Sequence, residues 1–293
     1  MDGTLLNKEQ CISDANKKAI EEALKQGVHI VLASGRSFDG LVPYIKELGL
    51  ESDEQYSVAC SGALAVHNKS RDELYAIAIP YKDLKKIVAF CDEYNLDLCG
   101  YTKDAILADQ DHLFARYDSI ANGLPLVVTD FHKLDENVKI YKLNITNEAP
   151  QMRETIDSYF PKLHVEFPNM RLKKSYQAQI LDEIWRFPKE IQEQYHIVKS
   201  LPFMSEVFRI ECNKAVGVEL IAKVLGIKRE EIICVGDSEN DLHMVEYAGL
   251  GIAMENALDK VKAVADDIAP HHDLDGIAHV IKKYILEESI DKQ

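Results

Sequence analysis

The chain has 293 residues, enough for a sizeable hydrophobic core in one large or two ordinary domains. Its 49 acidic against 34 basic residues leave a net charge of −15, which repels polyphosphate backbones and argues against nucleic acid as a main partner. No apolar run approaches membrane-spanning length and no charged leader precedes an apolar stretch, so no membrane partner and no signal peptide are expected. Cys11, Cys60, Cys91, Cys99, Cys212 and Cys234 form no C-x-x-C pair, and no His cluster lies at zinc spacing. Six reduced thiols in a cytoplasmic protein are the expectation.

In chain order, Ser13 can cap a helix whose apolar face is Ala15, Ala19, Ile20, Ala23 and Leu24, with Gly27 as its stop. The apolar run Val28 to Ala33 reads as a buried strand, ending in Ser34-Gly35-Arg36. A second helix runs from Ser37 to Leu48 and stops at Gly49. Tyr56–Cys60, Ala63–Val66 and Tyr75–Ile79 read as short strands. The middle, from Lys82 to Lys199, mixes amphipathic helices with short strands and carries no glycine-rich strand end. Within it, Ala149–Phe167 and Ala178–Val198 each read as helix, proline, strand. After it the alternation resumes: helix Lys214–Leu225, strand Ile232–Val235, helix from Glu239, strand Leu250–Met254, helix Gly276–Leu286. Alternating β and α elements predict a parallel sheet covered on both faces.

Four short constellations carry chemistry, and three stand where open α/β sheets bind ligands, beyond the carboxyl ends of strands. Gly236-Asp237-Ser238-Glu239-Asn240-Asp241 gathers three carboxylates and an amide suited to a hard cation. An ordinary acidic helix cap explains it equally well in isolation; an EF-hand loop does not, because Leu242 and Ala248 occupy its sixth and twelfth positions. Ser34-Gly35 offers a hydroxyl and successive backbone N–H groups to a phosphate, although Ser-Gly turns are common. Lys214 opens a helix, where a lysine opposes the dipole. It reads as a solvated surface residue or as a fixed cation for an anionic ligand. Asp2-Gly3-Thr4-Leu5-Leu6, alone, is an ordinary tight-turn pair.

Taken together, D-G-T-L-L, S-G-R, N-K and G-D-S-E-N-D in this order resemble the four-motif signature of the haloacid dehalogenase-like hydrolases. Gly251-Ile252-Ala253-Met254-Glu255-Asn256-Ala257 and Asp275-Gly276-Ile277-Ala278 further resemble its Cof-type sugar-phosphatase branch. The resemblance implies a Rossmann-like parallel-sheet core, residues 1–81 and 200–293, with an inserted α+β cap, residues 82–199. It implies a Mg²⁺-dependent phosphatase acting on small phosphorylated metabolites, such as sugar phosphates, through an aspartyl-phosphate.

By the same resemblance Asp2 is the general acid and base, and its main-chain carbonyl a metal ligand. Ser34 and Gly35 bind the phosphoryl group, Lys214 neutralises it, and Asp237, with Asn240 and Asp241, holds the metal. The family's nucleophilic aspartate falls one position before Met1. The expectation is that a short apolar strand and this Asp precede Met1 in the natural protein; the alternative is a non-catalytic metal- and anion-binding protein of the same fold. Other departures are Ser61 where the branch has Asn, Ala215-Val216 after the lysine, and a longer cap. Oligomeric state is not legible.

Overall fold

The computed structural model describes residues 1–147, 186–201 and 203–286. The chain divides into two compact units, one built from Met1–Ala76 with Cys212–Gln293, the other from Ile77–Glu211. The divisions fall at 76/77 and 211/212 rather than at 81/82 and 199/200.

In the first unit, helix α1 (Asp14–Lys25) starts where the Ser13 hydroxyl accepts the Asn16 N–H, and ends before Gly27, whose φ is +83°. It buries Ala19, Ile20 and Ala23. The buried Asn16 carbonyl accepts from the N–H of Ala278, tying α1 to the last helix of the described chain, Gly276–Tyr284. Strand β1 covers only Leu32–Ala33, short of the expected Val28–Ala33. It pairs in parallel with β2 (Tyr56–Ala59), which continues antiparallel into β3 (Leu64–His67) and β4 (Glu73–Ala76). Helix α2 (Phe38–Glu47) connects β1 to β2 and buries Phe38, Leu41 and Ile45.

The second unit is a six-stranded sheet ordered β7-β6-β5-β8-β10-β9, from β5 (Asp97–Tyr101), β6 (Ile106–Ala108), β7 (Leu126–Val128), β8 (Lys142–Thr146), β9 (Tyr195–Leu201) and β10 (Met204–Arg209). Helix α3 (Tyr81–Tyr94) packs Leu84, Ile87 and Val88 into a core with Leu98, Leu143, Ile145 and Val207; helix α4 (Leu113–Asn122) contributes Phe114 and Tyr117 to a separate cluster. The expected unit Ala149–Phe167 lies outside the described residues. Of Ala178–Val198 only residues 186–198 are described, and there Pro188 caps helix α5 (Lys189–Gln194), which runs straight into β9. The proline opens the helix instead of separating helix from strand, as its missing N–H allows.

Helix α6 (Lys214–Leu225) returns the chain to the first unit and ends at Gly226 with φ +69°. The parallel strands β11 (Ile233–Gly236), β12 (Leu250–Met254) and β13 (Asp267–Ala269) follow, with helix α7 (Leu242–Tyr247) after a 3₁₀ turn at Glu239–Asp241. The turn replaces the continuous helix expected from Glu239, because Asp241 folds back to accept backbone N–H groups of its own loop. Helices α8 (Asp259–Lys262) and α9 (Gly276–Tyr284) complete the described chain.

The parallel α/β architecture is present, but its pairing is split. Among the described residues β1 pairs with β2, β11 pairs with β12, and neither pairs with the other. A cavity of about 550 Å³ is lined by Val28–Ala33 and Ile232–Val235, with Met1 and Thr4 also in its wall. Val28–Val31 form no ladder, and the Ile30 N–H donates to the Gln55 side chain at 3.3 Å.

Gly62 locks the loop after β2 against the start of α6. Its φ is +96°, and a Cβ there would collide with the carbonyl of Asn213. Gly62→Ala is therefore expected to cost about 2–4 kcal/mol in urea denaturation. A loss below about 0.5 kcal/mol, the level of an ordinary surface change, would contradict this close approach.

Candidate active site

The sheet geometry brings three loops together beyond the carboxyl ends of β1 and β11, and α6 delivers a fourth group. Asn213 caps α6, its side-chain oxygen accepting the Val216 N–H at 3.1 Å, and so fixes the first turn that carries Lys214. The Lys214 side chain is buried, its Nζ 2.6 Å from Asp241 Oδ1 and 3.0 Å from Asn240 Oδ1. Sequence left a surface lysine and a fixed cation both open; burial selects the fixed cation.

Asp241 is the organiser of its loop. Its other oxygen, Oδ2, accepts from the N–H groups of Asp237 and Ser238 and from the Ser238 hydroxyl, at 3.0–3.1 Å. Burial opposes its ionisation, but Lys214 and these donors outweigh burial and bring its pKa down to about 2. Gly236 is obligatory beside it, since a Cβ there would overlap the Asp241 side chain. Asn240 is similarly engaged, its carbonyl accepting from Lys214 and from the Ser238 hydroxyl at 2.7 Å.

Asp237 stands apart. Its Oδ1 accepts from the Thr4 hydroxyl, and its Oδ2 lies where a Cβ on Gly3 would approach within 2.5 Å. Gly3 has φ +70°, so only glycine brings the Asp2-Gly3 main chain this close to the carboxylate. Burial and the charge of Asp241 raise the Asp237 pKa, Thr4 opposing between them. A carboxylate whose ionisation is disfavoured by burial and a like charge is one that a cation stabilises.

Oxygen donors of this kind fit a hard divalent cation: Asp237 presents a carboxylate whose Oδ2 packs against the Gly3 main chain. Asn240 and Asp241, expected to help hold the metal site, direct their oxygens to Lys214, Ser238 and backbone N–H groups. They buttress the loop from behind.

Asp2 does not point at the carboxylates. Arg36 clamps it in a fork, Nη2 to Oδ1 at 2.8 Å and Nε to Oδ2 at 3.2 Å, and Arg36 is braced by the Tyr44 hydroxyl and Gln10. Burial works against the Asp2 charge, yet Arg36 overrides it and holds the pKa below the usual range. Ser34 is buried, its hydroxyl accepting the Arg36 N–H at 3.2 Å and its carbonyl accepting from Ser61. A Cβ on Gly35 would sit 3.2 Å from Ser61 Oγ and 3.8 Å from Asn240 Nδ2, which places the Ser34-Gly35 loop against the Asp237–Asp241 loop.

The fifth member is the Met1 α-amino group. It is buried, and its pKa is lowered by that burial and then by Lys214, against the attraction of Asp241, Asp2 and Asp237.

The residues singled out from sequence thus converge on one corner of the first unit, and several escaped sequence reading. Thr4, Arg36 and Asn256, which donates to the Gly3 carbonyl at 2.7 Å, all act on partners far away in the chain. Asn256 lies in a segment noted for its resemblance but given no role. His271, His272 and Asp273 also gather within 4.8 Å of one another, on a turn next to Leu6 and Lys8.

Carboxylates and one buried ammonium thus meet at the strand ends of an α/β core. The sequence profile of the haloacid dehalogenase-like hydrolases matches residues 1–281, and the chain belongs to that family. YxeH of Bacillus subtilis is similar at 31% identity, over 98% of this chain and 96% of the relative. The phosphatase YwpJ of the same organism is 26% identical over 96% of each chain. Among solved structures, a haloacid dehalogenase-like hydrolase from Bacteroides thetaiotaomicron superposes with a TM-score of 0.77 at 25% identity, covering 96% of both chains. No described helix is long and apolar enough to cross a membrane.

Lys214 and Asp241 make a buried pair, so removing one partner strands the other. Asp241→Ala is expected to cost about 3–5 kcal/mol in urea denaturation, most of it regained in Lys214→Met/Asp241→Leu. Because folding lowers the Asp241 pKa, its contribution is complete above the unfolded value near pH 4 and is lost as pH falls through about 2. Asp241→Asn should flatten the stability–pH curve in that window; an unchanged curve contradicts the pairing.

Proposed function

We propose that the chain is a Mg²⁺-dependent phosphatase of small phosphorylated metabolites, working through an aspartyl-phosphate. The carrying observation is the buried Lys214 ammonium, held by Asp241 and Asn240 of the loop that packs against the Ser34-Gly35 turn. With two of its three N–H groups directed to Asp241 and Asn240, the ammonium can offer its third to an anion. Relatives lend support: YitU of Bacillus subtilis, 27% identical over 97% of this chain, is a 5-amino-6-(5-phospho-D-ribitylamino)uracil phosphatase. Its substrate is a small phosphomonoester of a polyol, the class proposed here. All six cysteines are free thiols, which supports a reducing compartment such as the cytoplasm.

In this reading Lys214, the Ser34 hydroxyl and the Gly35 N–H bind the phosphoryl oxygens. Asp237 and the Asp2 main-chain carbonyl would hold Mg²⁺, which would neutralise phosphoryl charge when bound. An aspartate carboxylate attacks phosphorus, forming the acyl-phosphate bond as the ester P–O bond breaks. Asp2 gives its proton to the departing alkoxide, then takes one from the water that cleaves the acyl-phosphate. The Arg36 clamp must release Asp2 before that carboxyl can carry a proton, since the ion pair favours the charged form.

A second reading is a protein of the same fold that binds metal and anion without turnover. Hydrolysis of p-nitrophenyl phosphate with Mg²⁺ separates the two: the phosphatase is expected to turn over, and Asp237→Asn should cut its rate roughly 10²-fold or more. Silence, with orthophosphate and Mg²⁺ still bound, would favour the binding protein. Asp237→Asn suits this test better than Lys214→Ala, which breaks a buried pair.

A further inference from the structure

The loop after β2 holds two non-glycine residues in an unfavourable backbone shape. Cys60 and Ser61 have φ of +50° and +57°, and Gly62 follows at +96°. Glycine and asparagine adopt this left-handed conformation more readily than cysteine or serine. Two such residues in succession persist only where the surroundings impose the shape. The imposing contacts are hydrogen bonds to the neighbouring turn. The Cys60 N–H donates to the Arg36 carbonyl at 2.7 Å and the Ser61 N–H to the Ser34 carbonyl at 3.0 Å. The loop therefore clasps Gly35 from both sides. One position on, Gly62 lies so close to Asn213 and Lys214 that a Cβ would overlap their main chain. A single short loop thus ties the Ser34-Gly35 turn to the start of α6.

The Ser61 side chain sits at that junction. The residue is only 3% exposed, and among the described residues its hydroxyl meets no hydrogen-bonding partner. A Cβ on Gly35 would come within 3.2 Å of the Ser61 oxygen, so the hydroxyl faces the turn itself. Leaving a nearly buried hydroxyl unmatched is unfavourable, and the left-handed backbone gives no reason for a hydroxyl there. A ligand oxygen beside Gly35 answers it. Ser57, on β2, is fully buried and also unmatched, but it lies within the strand and not on the clasp.

We infer that Ser61 is a ligand-contacting residue, its hydroxyl donating to a phosphoryl oxygen of the ligand at the Ser34-Gly35 turn. The inference rests on the phosphoryl-binding part of the reading above and needs no turnover. It adds a donor from a third segment of the chain to those of Ser34-Gly35 and Lys214. It also gives the conformational cost of the loop a function, since the clasp holds that donor at a fixed distance from Gly35.

Calorimetric titration of orthophosphate into the full chain with Mg²⁺ present, read beside thermal denaturation, tests it. Ser61→Gly removes the hydroxyl and the backbone conflict together, so binding and stability should part company. Orthophosphate affinity is expected to fall about ten-fold or more, while the melting temperature holds or rises. Ser57→Ala deletes a buried hydroxyl from the adjoining strand and should leave the affinity unchanged. Parent-like affinity in Ser61→Gly overturns the inference, and so does an equal loss in Ser57→Ala. Weaker binding together with a lower melting temperature in Ser61→Gly makes Ser61 a structural residue and overturns it too. If the parent chain itself binds no orthophosphate, the phosphoryl-binding reading falls and takes this inference with it.

Discussion

Everything at the strand ends is organised around one buried ammonium. Lys214 is inserted by the first turn of α6, at the end of a helix dipole that does not favour it, and its charge is met by Asp241 and Asn240. That demand shapes the loop after β11: Asp241 turns back to serve Lys214 with one oxygen and three donors of its own loop with the other. With Asp241 and Asn240 occupied, Asp237 is left as the carboxylate that faces the Asp2-Gly3 main chain. A division of labour among three acids of one short loop therefore follows from where a single cation is buried.

The same corner explains why small residues recur at its seams. Gly3 allows the main chain to touch Asp237, Gly236 makes room for Asp241, and Gly62 lets the loop after β2 press on the start of α6. Each sits at a contact between segments remote in sequence, so each sets the distance between two functional groups.

Sequence was most informative where local rules act. Ser13, Gly27, Asn213 and Gly226 bound their helices as capping chemistry requires, and β12 falls on its apolar run. The strand-end motifs were legible because glycine and acidic residues cluster there for reasons visible within a few positions. Val28–Val31 were misread because a strand needs neighbours, and apolar content says nothing about whether a neighbour is present. Asn240 and Asp241 were read as metal holders because their composition suits a cation, while the lysine that claims them lies 26 and 27 positions away. Arg36 was similarly silent: nothing near it in the chain announces a fork onto Asp2.

The central claim is that these groups form one site, in which a cation and an anion depend on each other through Asp237 and Lys214. The most direct measurement is calorimetric titration of orthophosphate into the chain with and without Mg²⁺, repeated on Asp237→Asn. Phosphate binding that strengthens with Mg²⁺, and loses that enhancement in Asp237→Asn, is the predicted result. Equal phosphate affinity with and without Mg²⁺, or an enhancement untouched by the substitution, would contradict a shared site.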